Sequence, residues 1–268
     1  MGIELIQASA FMKNVGNGVT DPFYLECNGV TYIAKATDDN VGVKHLVNEV
    51  VCYLLAKLLE VPIPDAALIK IDQTMINSVP FLKDRNIKSD ILFGSKLVLN
   101  AQANITPPLL EKVKNQVDIP SIMLFDQIIM NEDRAENRGN LLFDFKNRKL
   151  FAIDHTHAFK LGALWDVHTL RRINLEKEYL IESFKGKYYR MLQKYVNGNN
   201  PFSKVVGKIS SLKEADISLI VSSIPNEWEI SQEEKEEIKN FLWHRICNIK
   251  EILLKIKDEC PQWKGVVA

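Results

Sequence analysis

This sequence has no excess charge, no long apolar run and few cysteines, and each shortage closes off a class of protein. Lys plus Arg number 34 and Asp plus Glu number 34 among 268 residues. No global basic field is therefore available to hold nucleic acid or an anionic membrane, although a local basic patch stays open. No apolar stretch approaches the roughly 18 residues of a membrane span. The start, Met1-Gly2-Ile3-Glu4-Leu5-Ile6, lacks the positive flank and apolar run of a signal peptide. The four cysteines, Cys27, Cys52, Cys247 and Cys260, show no CxxC spacing. Cys52 and Cys247 fall in periodic apolar segments, where buried free thiols are expected in place of disulfides. With 12 Gly, 10 Pro and 46% hydrophobic residues, the chain is neither collagen-like nor of low complexity. These features describe a reduced, cytoplasmic, soluble protein of one large or two small domains.

What is present is a strand-rich beginning and a helix-rich remainder. Residues 22–27 and 30–35 are apolar runs flanking Asn28-Gly29, the dipeptide suited to the two positive φ angles of a tight hairpin. Upstream, Asn14-Val15-Gly16-Asn17-Gly18-Val19-Thr20 is a glycine-containing loop between a strand at 3–8 and the hairpin. Residues 43–59 carry apolar side chains at three- and four-residue steps and predict a helix, stopped by Pro62 and Pro64. A short strand is expected at 66–71, whereas residues 73–104 show no clear period. Residues 119–130 predict a buried helix running into a polar loop at 131–140. A hairpin follows at 141–145 and 149–153, and Asp154 stands at its end. The rest is expected to be helical. Ser231 with Glu234 forms a capping box, and one stripe runs through Ile238, Leu242, Ile246, Ile249, Leu253 and Ile256. No repeat or linker interrupts the pattern, and the change in character sets a boundary near residue 85. The expectation is an α+β, two-lobed protein, residues 1–85 forming the smaller lobe and 86–268 the larger.

Four features occur in one order: the loop with Gly16 and Gly18, Lys35 ending an apolar strand, a polar loop with Asp133 and Asn140, and Asp154 after Phe151-Ala152-Ile153. Phosphoryl transfer from a nucleotide needs such parts. Glycine backbone lets N–H groups approach phosphates, and a lysine neutralises their charge. A carboxylate with an amide oxygen holds Mg²⁺, and a second carboxylate deprotonates the attacking hydroxyl. Each part alone has a plainer reading as a turn, a solvated lysine, a surface ion pair or a cap. Their ordered occurrence carries the inference.

Tyr32-Ile33-Ala34-Lys35 resembles the lysine strand of protein kinases, and Asn48-Glu49 looks like the helix glutamate that pairs with it. Asn131-Glu132-Asp133-Arg134, Gly139-Asn140-Leu141-Leu142, Ile153-Asp154-His155 and Ala158-Phe159 are similar to the catalytic and metal-binding segments of HipA-like serine/threonine kinases. Pro62-Ile63-Pro64, Phe93-Gly94-Ser95-Lys96 and Ile224-Pro225-Asn226-Glu227-Trp228 resemble the compact branch of that family. The resemblance implies a bilobal protein-kinase-like fold that uses ATP and Mg²⁺ to phosphorylate a protein hydroxyl. By position, Lys35 would meet the α/β-phosphates and pair with Glu49, Asp133 would be the catalytic base, and Asp154 the principal metal ligand. Arg138 stands where many kinases have the metal-binding asparagine; of Asn137 and Asn140, the second is favoured because Gly139-Asn140-Leu141-Leu142 matches the family ending. Asp154 is followed by His155-Thr156 instead of Phe-Gly, and no Ala-Pro-Glu segment is present, which argues against ordinary activation-loop control. The resemblance also implies an antitoxin-type protein partner, while the charge balance and the lack of long apolar runs predict no direct contact to nucleic acid or membrane. Thr20 is a candidate modification site, and adenine contacts are sought around residues 79–83.

Rival readings are weaker. His155 and His157 suggest zinc, but a third ligand at workable spacing is missing. Asp133 with His155 and a serine would make a hydrolase triad, but no Gly-x-Ser-x-Gly elbow exists. Arg171-Arg172 reads as a surface or interlobe contact, and Glu233-Glu234-Lys235-Glu236-Glu237 as the wet face of a helix start. The alternatives to a protein kinase are a small-molecule kinase of the same fold and a non-catalytic nucleotide-binding module. Asn131, where antibiotic kinases carry histidine, argues against the first. The joint presence of Lys35, Asp133 and Asp154 argues against the second.

Overall fold

The computed structural model describes residues 2–16, 18, 20–135 and 140–267. Strands β1 (Leu5–Gln7), β2 (Ala10–Asn14), β3 (Phe23–Cys27), β4 (Val30–Lys35), β5 (Ala66–Lys70) and β6 (Ile91–Lys96) form one sheet in the order β1-β5-β6-β4-β3-β2. Only the β1–β5 pairing is parallel within this sheet. The single strand expected at 3–8 is shorter, and a second strand follows it at once. The two occupy opposite edges of the sheet and are joined by Ala8-Ser9, where Ala8 N–H donates to Lys70 O beside β5 and Ser9 N–H to Glu26 O of β3. The sheet therefore curls, because one continuous run of chain supplies both of its edge strands. Inside the curl lies the smaller core, with Phe23, Leu25, Ala34, Ile69 and Leu92. Gly94 sits at its tightest point, where an added Cβ would lie 2.2 Å from Ile69 Cδ1. Asn28 and Gly29 both have positive φ, 51° and 75°, as the hairpin reading requires.

Helix α1 (Lys44–Leu58) belongs to the larger core and is buried over most of its length. The unpatterned stretch contains two short helices, α2 (Gln73–Ser78) and α3 (Pro80–Asp84), then β6. Strand β6 lies beyond the boundary expected near residue 85. Ile91–Lys96 bonds both β4 and β5, so the sheet of the smaller lobe runs to Lys96.

The larger lobe continues with β7 (Ala101–Gln102), α4 (Pro107–Glu111), α5 (Ile119–Ile129), β8 (Leu141–Asp144) and β9 (Lys149–Ala152), the three strands pairing antiparallel. Helices α6 (Val167–Leu175), α7 (Lys187–Gln193), α8 (Ser203–Ile209), α9 (Glu214–Ser222), α10 (Gln232–Cys247) and α11 (Ile249–Glu259) complete it. Ser231 caps α10 reciprocally with Glu234, as its sequence predicts. The stripe expected to form one helix is broken at Asn248, whose Nδ2 donates to His244 O at 2.8 Å. Cys27, Cys52 and Cys260 are buried free thiols, but Cys247, expected inside, is exposed at the end of α10. No helix among the described residues is long and apolar enough to cross a membrane.

Candidate active site

Three elements deliver charge to one point. Strand β4 ends on Lys35, α1 presents Glu49, and the chain leaving β9 turns at Asp154. Lys35 Nζ donates to Glu49 Oε1 at 2.5 Å, to Asp154 Oδ1 at 2.8 Å and to Thr156 Oγ1 at 2.8 Å. Glu49 Oε1 also accepts from Thr156 Oγ1 at 3.0 Å and from the His155 backbone at 3.2 Å. Burial alone would lower the Lys35 pKa, but the charges of Asp154 and Glu49 outweigh it and raise it above its ordinary value. Burial likewise opposes ionisation of Asp154, and the Lys35 ammonium overcomes this, holding the carboxyl well below the usual carboxylate range. Asp154 has φ 56°, a left-handed conformation that Asp tolerates better than bulkier residues.

Asp133 opens a tight turn, Asp133–Ala135, just beyond α5, whose C-cap Met130 is left-handed. Its Oδ2 accepts from Asn140 Nδ2 at 2.8 Å, and His157 Nδ1 lies 3.6 Å away. Beneath the turn is a sealed network. Arg134, whose pairing with a neighbouring aspartate could have been a surface feature, is fully buried and bonds Asp126 through Nε at 2.5 Å and Nη2 at 3.0 Å. It also bonds the Asn140 carbonyl and, at 3.3 Å, His155 Nε2. Asp126 also accepts from Tyr189 OH at 3.0 Å and from Asn131 Nδ2 at 3.2 Å. Burial, helped by the Arg134 charge, pulls the His155 pKa down to about 3. Gly186 closes the packing: a Cβ there would lie 2.5 Å from that of Ala135.

The sequence reading missed Asn48, Asp126, Trp165 and Tyr189. Asn48 Nδ2 donates to Thr156 O at 2.7 Å and Gly162 O at 3.1 Å, while its Oδ1 accepts from Trp165 Nε1 at 2.8 Å. The signal available was an asparagine on the apolar face of α1, beside Glu49. The glutamate-rich start of α10 is also more than a wet face. Glu237 is buried against Arg171 at 2.7 Å, tying α6 to α10, and Glu234 takes Lys44 of α1 at 2.9 Å.

A cavity of about 1090 Å³ separates the curled sheet from β8 and β9, and Lys35, Glu49, Asp133, Asn140 and Asp154 all line it. Gly18 and Thr20 line it too; Gly16 does not. Asn137 lies outside the described residues. None of residues 79–83 reaches the cavity, because Val79, Phe81 and Leu82 belong to the core inside the sheet. The interlobe segment Ser95-Lys96-Leu97-Val98 lines it instead. The donors facing it, carboxylate and amide oxygens, suit a hard cation such as Mg²⁺. That ion takes one or two carboxylates and completes its shell with phosphates and water.

A family model described as "HipA-like kinase" matches residues 9–260. Among solved structures, the Helicobacter pylori proinflammatory kinase CtkA is 12% identical with a TM-score of 0.58, covering 93% of this chain and 96% of its own. At that identity the likeness is one of fold. A Golgi casein kinase with Mn/ADP bound is 12% identical, with a TM-score of 0.45 over 95% of this chain and 74% of that one. HipA of Shewanella oneidensis, solved with HipB and operator DNA, is 10% identical, with a TM-score of 0.45 over 93% and 67%. No curated protein sequence matches.

Proposed function

This chain belongs to the HipA-like kinase family, and we propose that it transfers the γ-phosphate of ATP, with Mg²⁺, to a serine or threonine hydroxyl of a protein. One observation carries the reading: Lys35 bonds Glu49 and Asp154 at once, on the wall of a cavity that Asp133 also lines. Kinase chemistry needs the lysine–glutamate pair formed and a carboxylate ready for the cation, because catalysis is mainly positioning and charge stabilisation. Asp154, with Asn140, would hold Mg²⁺, which supplies neutralisation of phosphate charge. Lys35 would bind the non-transferred phosphates, and the glycine loop through Gly18 would close over them.

Asp133 accepts the proton of the acceptor hydroxyl as the oxygen–phosphorus bond forms and the bond to the β-phosphate oxygen breaks, leaving ADP. Asn140, by bonding Asp133, aims the base. The choice of a protein acceptor follows the family.

The test is to incubate the purified chain with ATP and Mg²⁺ and read the intact mass, beside labelled transfer to added protein. Added phosphate, or label in an acceptor, is expected from the parent and lost in Asp133→Ala, with nucleotide binding by calorimetry retained. Full transfer by Asp133→Ala would refute the mechanism.

A further inference from the structure

At its outer end the cavity is rimmed by Leu161, Ala163 and Leu164. Leu164 is 82% exposed and Leu161 42%, an uncovered apolar rim beside a charged site. Their backbone is held firmly. Gly162 O accepts from Asn48 Nδ2 at 3.1 Å, Leu164 N–H donates to Leu161 O at 3.1 Å, and Trp165 O accepts from Lys44 Nζ at 2.8 Å. The indole of Trp165 is buried and donates to Asn48 Oδ1. Buried anchors thus present two leucines outward on a fixed turn.

The turn reaches the base through His157. His157 Nδ1 lies 3.6 Å from Asp133 Oδ2, and a Cβ at Gly162 would stand 3.2 Å from Cδ2 of the same ring. Base, imidazole and leucine rim therefore follow one another along one side of the cavity. The charges flanking the leucines are engaged within the protein. Lys160 pairs with Glu178, Lys44 with Glu234 at 2.9 Å, and Asp166 accepts the Thr169 N–H at 2.7 Å.

We infer that the turn at residues 161–164 is an acceptor shelf, which takes a bulky apolar side chain next to the residue being phosphorylated. The preferred substrate is then a protein segment in which Ser or Thr neighbours Leu, Ile, Met or Phe. This rests on the protein-kinase reading above and adds the class of sequence that it selects.

The experiment uses the full chain, ATP and Mg²⁺, with matched peptides carrying one serine flanked by Leu, Gly, Asp or Lys. The Leu-flanked peptide is expected to show at least tenfold higher kcat/KM than the others. Leu164→Asp should turn the preference towards the Lys-flanked peptide, and Leu164→Met should keep the parent order. The readout is a ratio between peptides, so a general loss of activity does not imitate it. Equal rates on all four parent reactions, an unchanged order in Leu164→Asp, or labelled self-transfer with no peptide phosphorylated would each overturn the shelf while leaving the kinase. No nucleotide binding and no transfer of any kind would instead remove the reading beneath it.

Discussion

Two ion clusters lie within one turn of chain from each other and are built to opposite ends. In the first, Lys35 meets Glu49, Asp154 and Thr156 on the cavity wall, and the Asp154 side chain keeps 36% of its surface accessible. In the second, Arg134 and Asp126 are fully enclosed, with Tyr189, Asn131 and His155 completing their hydrogen bonds. The open cluster keeps a carboxylate that a ligand can reach. The sealed cluster can bind nothing, and a buried pair of this kind is weak evidence for stability because desolvation offsets its attraction. What it does is fix geometry: Arg134 ties α5, through Asp126, to the carbonyl of Asn140, and so sets both ends of the loop bearing Asp133. Charge on one side of the loop stays open to a ligand, and charge on the other is closed off and fixes position.

Neutralising one aspartate from each side is the strongest way to break this contrast. Asp133→Asn keeps a hydrogen-bonding side chain and should lower kcat by about 10² to 10⁴-fold, the usual contribution of a general base, with an unchanged melting temperature. Asp126→Asn removes the carboxylate that Arg134 bonds through two nitrogens and should cost about 3–5 kcal/mol in a denaturant titration. If Asp126→Asn retained parental stability, the sealed network would not be holding the loop. Gly186→Ala tests the same side without touching charge. Its Cβ would collide with Ala135 and should destabilise by about 1–3 kcal/mol, with activity falling in the fraction that stays folded.

The last effect is in pH. His45 is buried, with Nδ1–H donating to Gly42 O at 2.5 Å, and burial lowers its pKa from 6.5 to about 4. The unfolded chain therefore takes up this proton first as pH falls. The stability it contributes is complete above pH 6.5 and is lost towards pH 4, at about 1.4 kcal/mol per pH unit. His45→Leu should flatten the fall of melting temperature between pH 6.5 and 5 relative to the parent. Parallel curves for the two proteins would show that the imidazole carries none of it.

Local signals were readable where one segment contained its own reasons. The α1 period, Asn28-Gly29 and the Ser231–Glu234 box each rest on neighbours within a few residues. So does the β8–β9 hairpin that ends at Asp154. Strand β6 was not readable, because Gly94 and Ser95 break its alternation, and only its two sheet partners make it a central strand. Cys247 was misplaced because the period continues past Asn248 while the helix does not. Asn48 and Tyr189 escaped notice because their partners lie far along the chain, and Asp126 because a carboxylate inside a buried helix is explained only once Arg134 folds back onto it.

The order of the parts (glycine loop, lysine strand, glutamate helix, aspartate loop, aspartate after a hairpin) was set by the sequence by itself, since each rests on residue type and short-range propensity. Tertiary structure alone decided which charges face the cavity and which are sealed, and that the sheet curls. It also decided that Ser95 to Val98, not residues 79–83, line the cleft. Those outcomes depend on burial and on contacts between distant segments, and the free energy of a charge is fixed by its surroundings more than by its identity.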